Sequence, residues 1–153
     1  MVEANKVEIE EAIRRLNVSS QELRRLRSAE ARWVFDSAET RFVRSDGRQW
    51  WWEDFKMPAA WREFPACDGY RFLNKVLPSL DDPVWFIIET DDKDSVAVYE
   101  GRVSNVQEIL GECYAFEYYL VAKDFSWLVC ENHHNVVFAI GPEVEKRLHE
   151  IEI

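Results

Sequence analysis

The chain has 153 residues, with 29 Asp and Glu against 19 Lys and Arg, so its formal net charge is −10 at pH 7. A negatively charged protein repels nucleic-acid phosphates and anionic membranes, so we expect neither as a partner. A basic protein would instead be attracted. Seven Trp, nine Phe and five Tyr supply enough apolar area to predict one folded domain over residues 1–153.

The first quarter of the sequence predicts two helices. Apolar residues from Val7 to Leu16 recur at helical spacing among charged residues, which predicts an amphipathic helix ending near Asn17. Ser19 and Glu22 form a capping-box pattern. We therefore predict a second helix that starts there and continues towards Trp33.

The middle of the chain, residues 35–65, has a less regular pattern. The pair Asp46-Gly47 favours a hairpin between residues 40–44 and 48–52, with helix termination as the alternative. Two prolines predict an irregular connector over residues 58–65. Residues 69–77 then predict a short helix that Pro78 ends.

The second half predicts an antiparallel sheet. A short helix from Ser104 to Gly111 interrupts the strands, and Pro142 opens a final helix. The fold class is therefore α+β, with helices from the N-terminal half and the C-terminus packed on the sheet. About five strands are expected, at residues 84–90, 95–99, 115–121, 126–131 and 136–140.

Cysteine spacing and the absence of local motifs exclude several classes of chemical function. Cys67, Cys113 and Cys130 are odd in number and have no C-x-x-C spacing, so neither a disulfide framework nor a zinc ribbon is indicated. No nucleotide-binding or hydrolase motif is present. We find no apolar signal segment and no run long enough to span a bilayer, so we expect a cytoplasmic protein without cofactors.

The most unusual polar segment is residues 130–135, which gathers a thiol, a carboxylate and two imidazoles at a predicted hairpin tip. Such groups bind metals or transfer protons. Adjacent histidines on an extended backbone point to opposite sides, however, so we predict no metal and no catalytic residue. The favoured interpretation is a polar loop with one histidine packed against an aromatic ring, and the alternative is a partner contact.

The run Trp50-Trp51-Trp52 cannot face one core with all three rings, either as a helix or as a strand. At least one indole should therefore lie elsewhere, and tryptophan is enriched at binding hot spots. Burial of both sides of the segment is the alternative. The candidate partner-contact residues are Trp51, Asn132, His133, His134 and Asn135.

Residues 116–134 resemble the C-terminal part of small bacterial proteins to which no functional name is attached. Size, charge and expected architecture are also similar to those of the SUKH-type superfamily, in which some members are immunity proteins that neutralise toxins. The resemblance implies no catalytic residues, and it does not extend to the N-terminal half.

The leading hypothesis is a non-enzymatic protein-binding domain, in its most specific form an immunity-type inhibitor of a basic toxin. Two alternatives stay open. One is a metal-dependent or Cys/His enzyme with its site near Cys130 and His134, and the other is a non-catalytic scaffold or regulatory module.

Overall fold

A computed structural model describes residues 2–45, 50–88, 96–114 and 116–152 of the chain. Over these residues the centre is a seven-stranded sheet in the order β1-β4-β3-β5-β6-β7-β2, with antiparallel pairing throughout. The strands are β1 (Leu23–Arg25), β2 (Ala60–Glu63), β3 (Pro83–Ile88), β4 (Ala97–Arg102), β5 (Tyr118–Ala122), β6 (Leu128–Glu131) and β7 (Val136–Ile140).

Helices cover both faces of this sheet. Two 3₁₀ turns, Trp51–Glu53 and Gly69–Phe72, complete the regular structure of the described residues. Helices α1, α3, α4 and α5 pack on one face, the four-helix face, while α2 and the segment around Trp51 pack on the other, the α2 face. The helices are α1 (Val2–Arg15), α2 (Ser28–Phe42), α3 (Leu73–Val76), α4 (Val103–Glu112) and α5 (Pro142–Glu150).

The central strands are buried on both faces because each face has its own layer of helices. Along β3, Phe86 and Ile88 point to the four-helix face, whereas Trp85 and Ile87 point to the α2 face. A strand covered on both sides carries a continuous apolar run rather than an alternating one. The predicted burial of the strands near residues 84–90 and 126–131 is thus confirmed over the residues described.

The predicted α+β class is confirmed, and the sheet is larger than expected by two strands. Strands β3 to β7 lie within a few residues of their predicted positions, and β5, β6 and β7 form the expected antiparallel meander. Helix α5 begins at Pro142 as predicted. Helix α4 starts one residue before Ser104 and contains Gly111 in its last turn.

The predicted starting residue of the second helix was wrong. The Ser19 backbone N–H does donate to the Glu22 carboxylate, at 3.2 Å, but the pair closes a turn rather than a helix. Residues 23–25 then form β1, with Leu23 opposite Gly101 of β4. The helix begins only at Ser28, because the free edge of β4 offers backbone partners that a local capping pattern cannot reveal.

The predicted hairpin around Asp46-Gly47 was also wrong. Its first arm overlaps the end of α2, and the described part of its second arm overlaps the 3₁₀ turn Trp51–Glu53. Asp46 and Gly47 themselves lie outside the described residues. Val43 and Phe55 instead form an isolated antiparallel bridge. The predicted acidic turn at residues 91–94 likewise lies outside the described residues.

The connector predicted over residues 58–65 contains β2, which pairs with β7 at the edge of the sheet. This pairing joins residues that are far apart in sequence, so no local turn signal announces it. None of the helices in the described ranges has the length and apolarity needed to cross a bilayer.

Candidate functional site

An aromatic surface lies on the α2 face, beside the 3₁₀ turn Trp51–Glu53. It is the place where β6 and β2 end and β7 begins. His133 lies 5.0 Å from Trp50 and 5.8 Å from Trp52, measured between ring centroids. His134 also lies 5.8 Å from Trp52, and Phe138 stacks on Trp52 at 6.0 Å. The two imidazoles are only 4.1 Å apart, so the expectation that they point to opposite sides was wrong, because residues 132–135 form a turn rather than an extended strand. We name this surface the aromatic edge, formed by Trp50, Trp52, Trp61, His133, His134 and Phe138.

Trp61 joins the aromatic edge through strand register. Its Cα partner on β7 is Phe138, and side chains directly opposite each other in an antiparallel pair point to the same face. Trp61 is 63% exposed. Sequence reasoning missed this residue because it assigned residues 58–65 to a connector, and a four-residue edge strand gives little periodicity to detect.

The turn between β6 and β7 holds both histidines in place. Asn132 is buried, and its side-chain oxygen accepts hydrogen bonds from the backbone N–H groups of His134 and Val136, each at 3.0 Å. Asn135 adopts a left-handed backbone with φ 63°, which asparagine tolerates well. Asn132 is therefore a structural residue of the turn, and the two imidazoles are the groups that it presents.

A buried carboxylate anchors the aromatic edge from below. Glu117 Oε1 accepts hydrogen bonds from Trp52 Nε1 at 2.9 Å and from the His133 backbone N–H at 3.2 Å. The same oxygen lies 3.1 Å from His133 Nδ1, and Oε2 accepts a hydrogen bond from the Tyr119 hydroxyl at 3.2 Å. A carboxylate in this position fixes the orientation of an imidazole ring.

The outer side of β2 is open over the residues that the structure describes, because β2 is the last strand of the sheet. The Phe64 N–H donates to the Asn135 carbonyl at 2.8 Å. Backbone groups alternate in direction along an antiparallel strand, so those of Trp61 and Glu63 point away from β7. The aromatic edge thus adjoins an unpaired strand edge.

A cavity of ≈130 Å³ lies on the other side of the 132–135 turn, on the four-helix face. It is lined by two buried polar residues, Asn132 at 4% and Glu131 at 8% exposed, and Glu131 accepts a hydrogen bond from the Tyr118 hydroxyl at 2.8 Å. Burial raises the pKa of Glu131, Asp68 adds to the rise, and Tyr118 opposes it. The cavity is also lined by Cys67, Tyr70, Cys113, Tyr114 and Phe116.

Comparison with family models gives one finding: a model described as "Family of unknown function (DUF6756)" matches residues 3–152. The chain belongs to the DUF6756 family. The match includes the N-terminal half, which the resemblance at residues 116–134 did not reach. Comparison with curated proteins and comparison with solved structures each gave no match, so the SUKH-type analogy stays a hypothesis.

Of the residues proposed as partner contacts, His133, His134 and Asn135 reach the surface together, whereas Asn132 and Trp51 are buried. Trp51 is 2% exposed. Its indole donates to Glu39 Oε2 at 3.1 Å, and its backbone N–H donates to the Tyr119 hydroxyl at 3.1 Å. The predicted aromatic anchor therefore has no surface to offer a partner, because the central ring of the triplet packs beneath α2. Its neighbours Trp50 and Trp52 are half-buried and reach the surface.

Two of the three thiols are poorly placed for nucleophilic chemistry, and the third, Cys67, is exposed. Cys130 is fully buried on the α2 face. Burial, reinforced by Glu8, raises the pKa of Cys113 to about 11, so this thiol stays protonated near neutral pH and is a weak nucleophile. Across the described segments, no three His, Cys, Asp or Glu side chains are positioned to hold one metal ion.

Proposed function

We propose that this chain is a non-enzymatic protein-binding domain whose partner is a basic protein, as an immunity-type inhibitor of a basic bacterial toxin would be. The observation that carries the proposal is the aromatic edge beside the open side of β2. Trp61 is 63% exposed there, and it continues into the half-buried rings of Trp52 and Phe138.

Rigidity makes this surface suitable for tight binding. Trp52 and His133 are both held by Glu117, and His134 is held by the Asn132 turn. Ordering side chains at an interface costs about 0.5–1.5 kcal/mol each, and rings that are already fixed avoid much of this cost. Large aromatic side chains are also the groups that most often dominate binding energy.

The open edge of β2 supplies directional contacts. The backbone N–H and carbonyl groups of Trp61 and Glu63 point away from β7, and an extended segment of a partner can pair with them. Such pairing would place alternate side chains of that segment over the aromatic edge. Main-chain hydrogen bonds then contribute affinity, while the aromatic rings contribute specificity.

Charge favours a basic partner. The exposed carboxylates Glu53 and Glu63 lie next to the aromatic edge, one beside Trp52 and the other on β2. The chain as a whole carries a net charge of −10. A negative surface accelerates encounter with a positive one and disfavours acidic competitors.

The enzyme alternative near Cys130 and His134 receives less support from the geometry. Cys130 has no exposed surface, so it cannot meet a substrate without opening of the fold. The His133 and Glu117 pair has the composition of an acid–base group, but its imidazole packs against Trp50 and Trp52, whose rings stack on each other at 6.3 Å. This packing suits a contact surface.

The test is partner capture followed by kinetics with a matched pair of variants. The chain is immobilised, a bound protein is recovered and identified, and its purified form is used to measure association and dissociation. We expect Trp61→Ala to accelerate dissociation at least about tenfold. Trp33→Ala is the control, because Trp33 is 59% exposed on α2 and packs against Phe125 outside the aromatic edge.

Two results would contradict the proposal. One is the absence of any stoichiometric partner, which would favour the enzyme or scaffold alternatives. The other is equal binding by the Trp61→Ala and Trp33→Ala variants, which would place the interface elsewhere. Circular dichroism of both variants shows whether the fold is retained.

A further inference from the structure

The cavity on the four-helix face contains a carboxylate with unused hydrogen-bonding capacity. Glu131 Oε1 accepts the Tyr118 hydroxyl at 2.8 Å. Within the described residues, Oε2 accepts no hydrogen bond, although Glu131 as a whole is only 8% exposed and lines the cavity. Oε2 is not among the fully buried polar atoms that lack a partner, so it retains access to water or to a ligand that can donate a hydrogen bond to it.

Gly69 creates the room in which Oε2 lies. A Cβ atom added at Gly69 would stand 2.5 Å from Glu131 Oε2 and 3.0 Å from the side chain of Val137. An alanine at this position would therefore force the Glu131 carboxylate to move. The carboxylate lies against the backbone of the Gly69–Phe72 turn, and Glu131 as a whole lines the cavity.

The walls and mouth of the cavity are aromatic. Phe116 and Tyr118 pack edge to face at 6.3 Å, Tyr70 lines another side, and Tyr114 is 86% exposed. Aromatic faces attract cations in addition to providing apolar contact. The volume of ≈130 Å³ is slightly below the roughly 150 Å³ of a cavity that holds benzene, so the site admits only a small group.

The charges around the cavity also favour a cation. Asp68 acts on Glu131 as a second negative charge, and Glu8 accepts a hydrogen bond from the Tyr114 backbone N–H at 3.2 Å. Arg15 is the opposing charge near Cys113, but its guanidinium donates to the Glu112 carbonyl at 3.4 Å. Arg71 is a second cation here, with its guanidinium 5.6 Å from the centroid of the Tyr70 ring. The carboxylates Glu131, Asp68 and Glu8 still outnumber Arg15 and Arg71.

We infer that this cavity binds a small organic cation, an alkylguanidinium or alkylammonium group, which donates hydrogen bonds to Glu131 Oε2 and packs against Phe116 and Tyr70. Two sources share this chemistry. One is an Arg or Lys side chain of the basic partner, in which case the inference rests on the proposed function and deepens it. The other is a free small amine or guanidine.

The probe is methylguanidinium chloride, with methylurea as its neutral analogue of nearly equal shape. Titration by NMR or calorimetry is expected to show saturable binding of methylguanidinium and no measurable binding of methylurea. Glu131→Gln should weaken methylguanidinium binding at least about tenfold, because a charge-assisted hydrogen bond is lost while Gln still accepts from Tyr118.

Glu108→Gln is the matched control, since it removes the same charge from an exposed position of α4 that does not line the cavity. Its binding of methylguanidinium should equal that of the unchanged chain. Gly69→Ala is a second variant, which displaces Oε2 while keeping the carboxylate, and it should also weaken binding. Equal binding by the Glu131→Gln and Glu108→Gln variants, or equal binding of methylurea, overturns the inference.

A short peptide with one Arg between glycines distinguishes the two sources. If the peptide and methylguanidinium both bind and both depend on Glu131, the cavity accepts a protein side chain. If only methylguanidinium binds, the ligand is a free cation. If neither binds to the folded chain, the inference is wrong, whereas the proposed function is judged separately through Trp61.

Discussion

At the scale of single residues, three buried glutamates are each paired with an aromatic donor. Trp51 donates to Glu39, Trp52 to Glu117, and the Tyr118 hydroxyl to Glu131. A buried carboxylate is costly unless it accepts hydrogen bonds, and indole N–H and phenol O–H groups supply them from inside an apolar layer. The aromatic residues therefore form the core and also donate hydrogen bonds to buried carboxylates.

Glu131 makes stability depend on pH. Burial raises its pKa above the ordinary value of 4.5 in the folded chain, so the folded state keeps a proton that the unfolded state has released. Stability is therefore lost as pH rises from about 4.5 through the folded pKa. Tyr118 stays protonated throughout, because burial raises its pKa well above 10, and Asp68 is the other titratable group acting on Glu131.

Denaturant unfolding at several pH values between 4 and 8 checks this expectation. The free energy of unfolding of the unchanged chain, relative to that of Glu131→Gln, should fall as pH rises. The variant removes the titrating group and leaves the other carboxylates in place. A difference that is constant or increases with pH would show that burial does not disfavour the ionised form of Glu131.

Two glycines should respond in opposite directions to the same substitution. Gly141 has φ 123°, and an added Cβ would lie 2.8 Å from Trp127 Cβ. Gly141→Ala should lower the free energy of unfolding by about 1–3 kcal/mol, because alanine is strained at this positive φ and its Cβ would clash with Trp127. Gly111 lies in α4 with only ordinary contacts near an added Cβ, so Gly111→Ala should be neutral or stabilising by up to about 1 kcal/mol.

Urea unfolding of both variants measures the two free energies under the same conditions. Equal destabilisation by the two alanines would contradict the assignment of strain to Gly141 alone.

At the scale of elements, two sets of contacts hold β2 in place. It pairs with β7, and Arg62 donates to the carbonyls of Leu148 and Ile151 at 3.4 and 2.5 Å. A guanidinium at the C-terminal end of a helix satisfies carbonyls that lack partners within the helix and complements the helix dipole. Arg62 thus joins the edge strand to α5, and the position of Trp61 depends on this link.

We expect Arg62→Gln to destabilise the chain by about 1–3 kcal/mol, since hydrogen bonds from a charged group are lost at a partly buried site. Lys146→Gln, in an exposed pair with Glu150 at 3.9 Å, should change stability by less than about 0.5 kcal/mol. Urea unfolding measures both values. Hydrogen exchange should also show faster opening of β2 in Arg62→Gln, and unchanged protection there would mean that pairing with β7 suffices.

At the scale of the whole molecule, the two helical layers give the sheet two different surfaces. The α2 face carries the aromatic edge, and the four-helix face carries the cavity, with the 132–135 turn between them. The net charge of −10 acts on both. Exposed charges are screened beyond about 8 Å at physiological ionic strength, so the local carboxylates matter most for docking.

Charge reversal near the aromatic edge should slow association with a basic partner. Glu53→Lys with Glu63→Lys is expected to reduce the association rate about tenfold or more at low salt, with a smaller change in dissociation. Glu11→Lys with Glu108→Lys changes net charge equally on the four-helix layer and is the control. Stopped-flow kinetics at several salt concentrations measure the effect. Equal slowing by both pairs would mean that net charge, not its position, governs encounter.

Local signals were sufficient for the second half of the fold. The apolar runs of β3 and β6, the polar turns of the meander and Pro142 at the start of α5 each act through near neighbours in sequence, so their positions could be predicted. The Ser19 and Glu22 pattern was also real, since the hydrogen bond forms. It was assigned to the wrong element because a turn and a helix start with the same contact.

The sequence by itself determined the α+β class, the buried strands, the final helix and the polar turn that carries His133 and His134. Only the tertiary structure decided that Leu23 pairs with Gly101 and Ala60 with Ala139, which indole of the triplet is buried, and that Glu131 lies against Gly69. The physical reason is that strand pairing and burial depend on which distant backbone edge or side chain is within reach, and that information is absent from any local stretch of sequence.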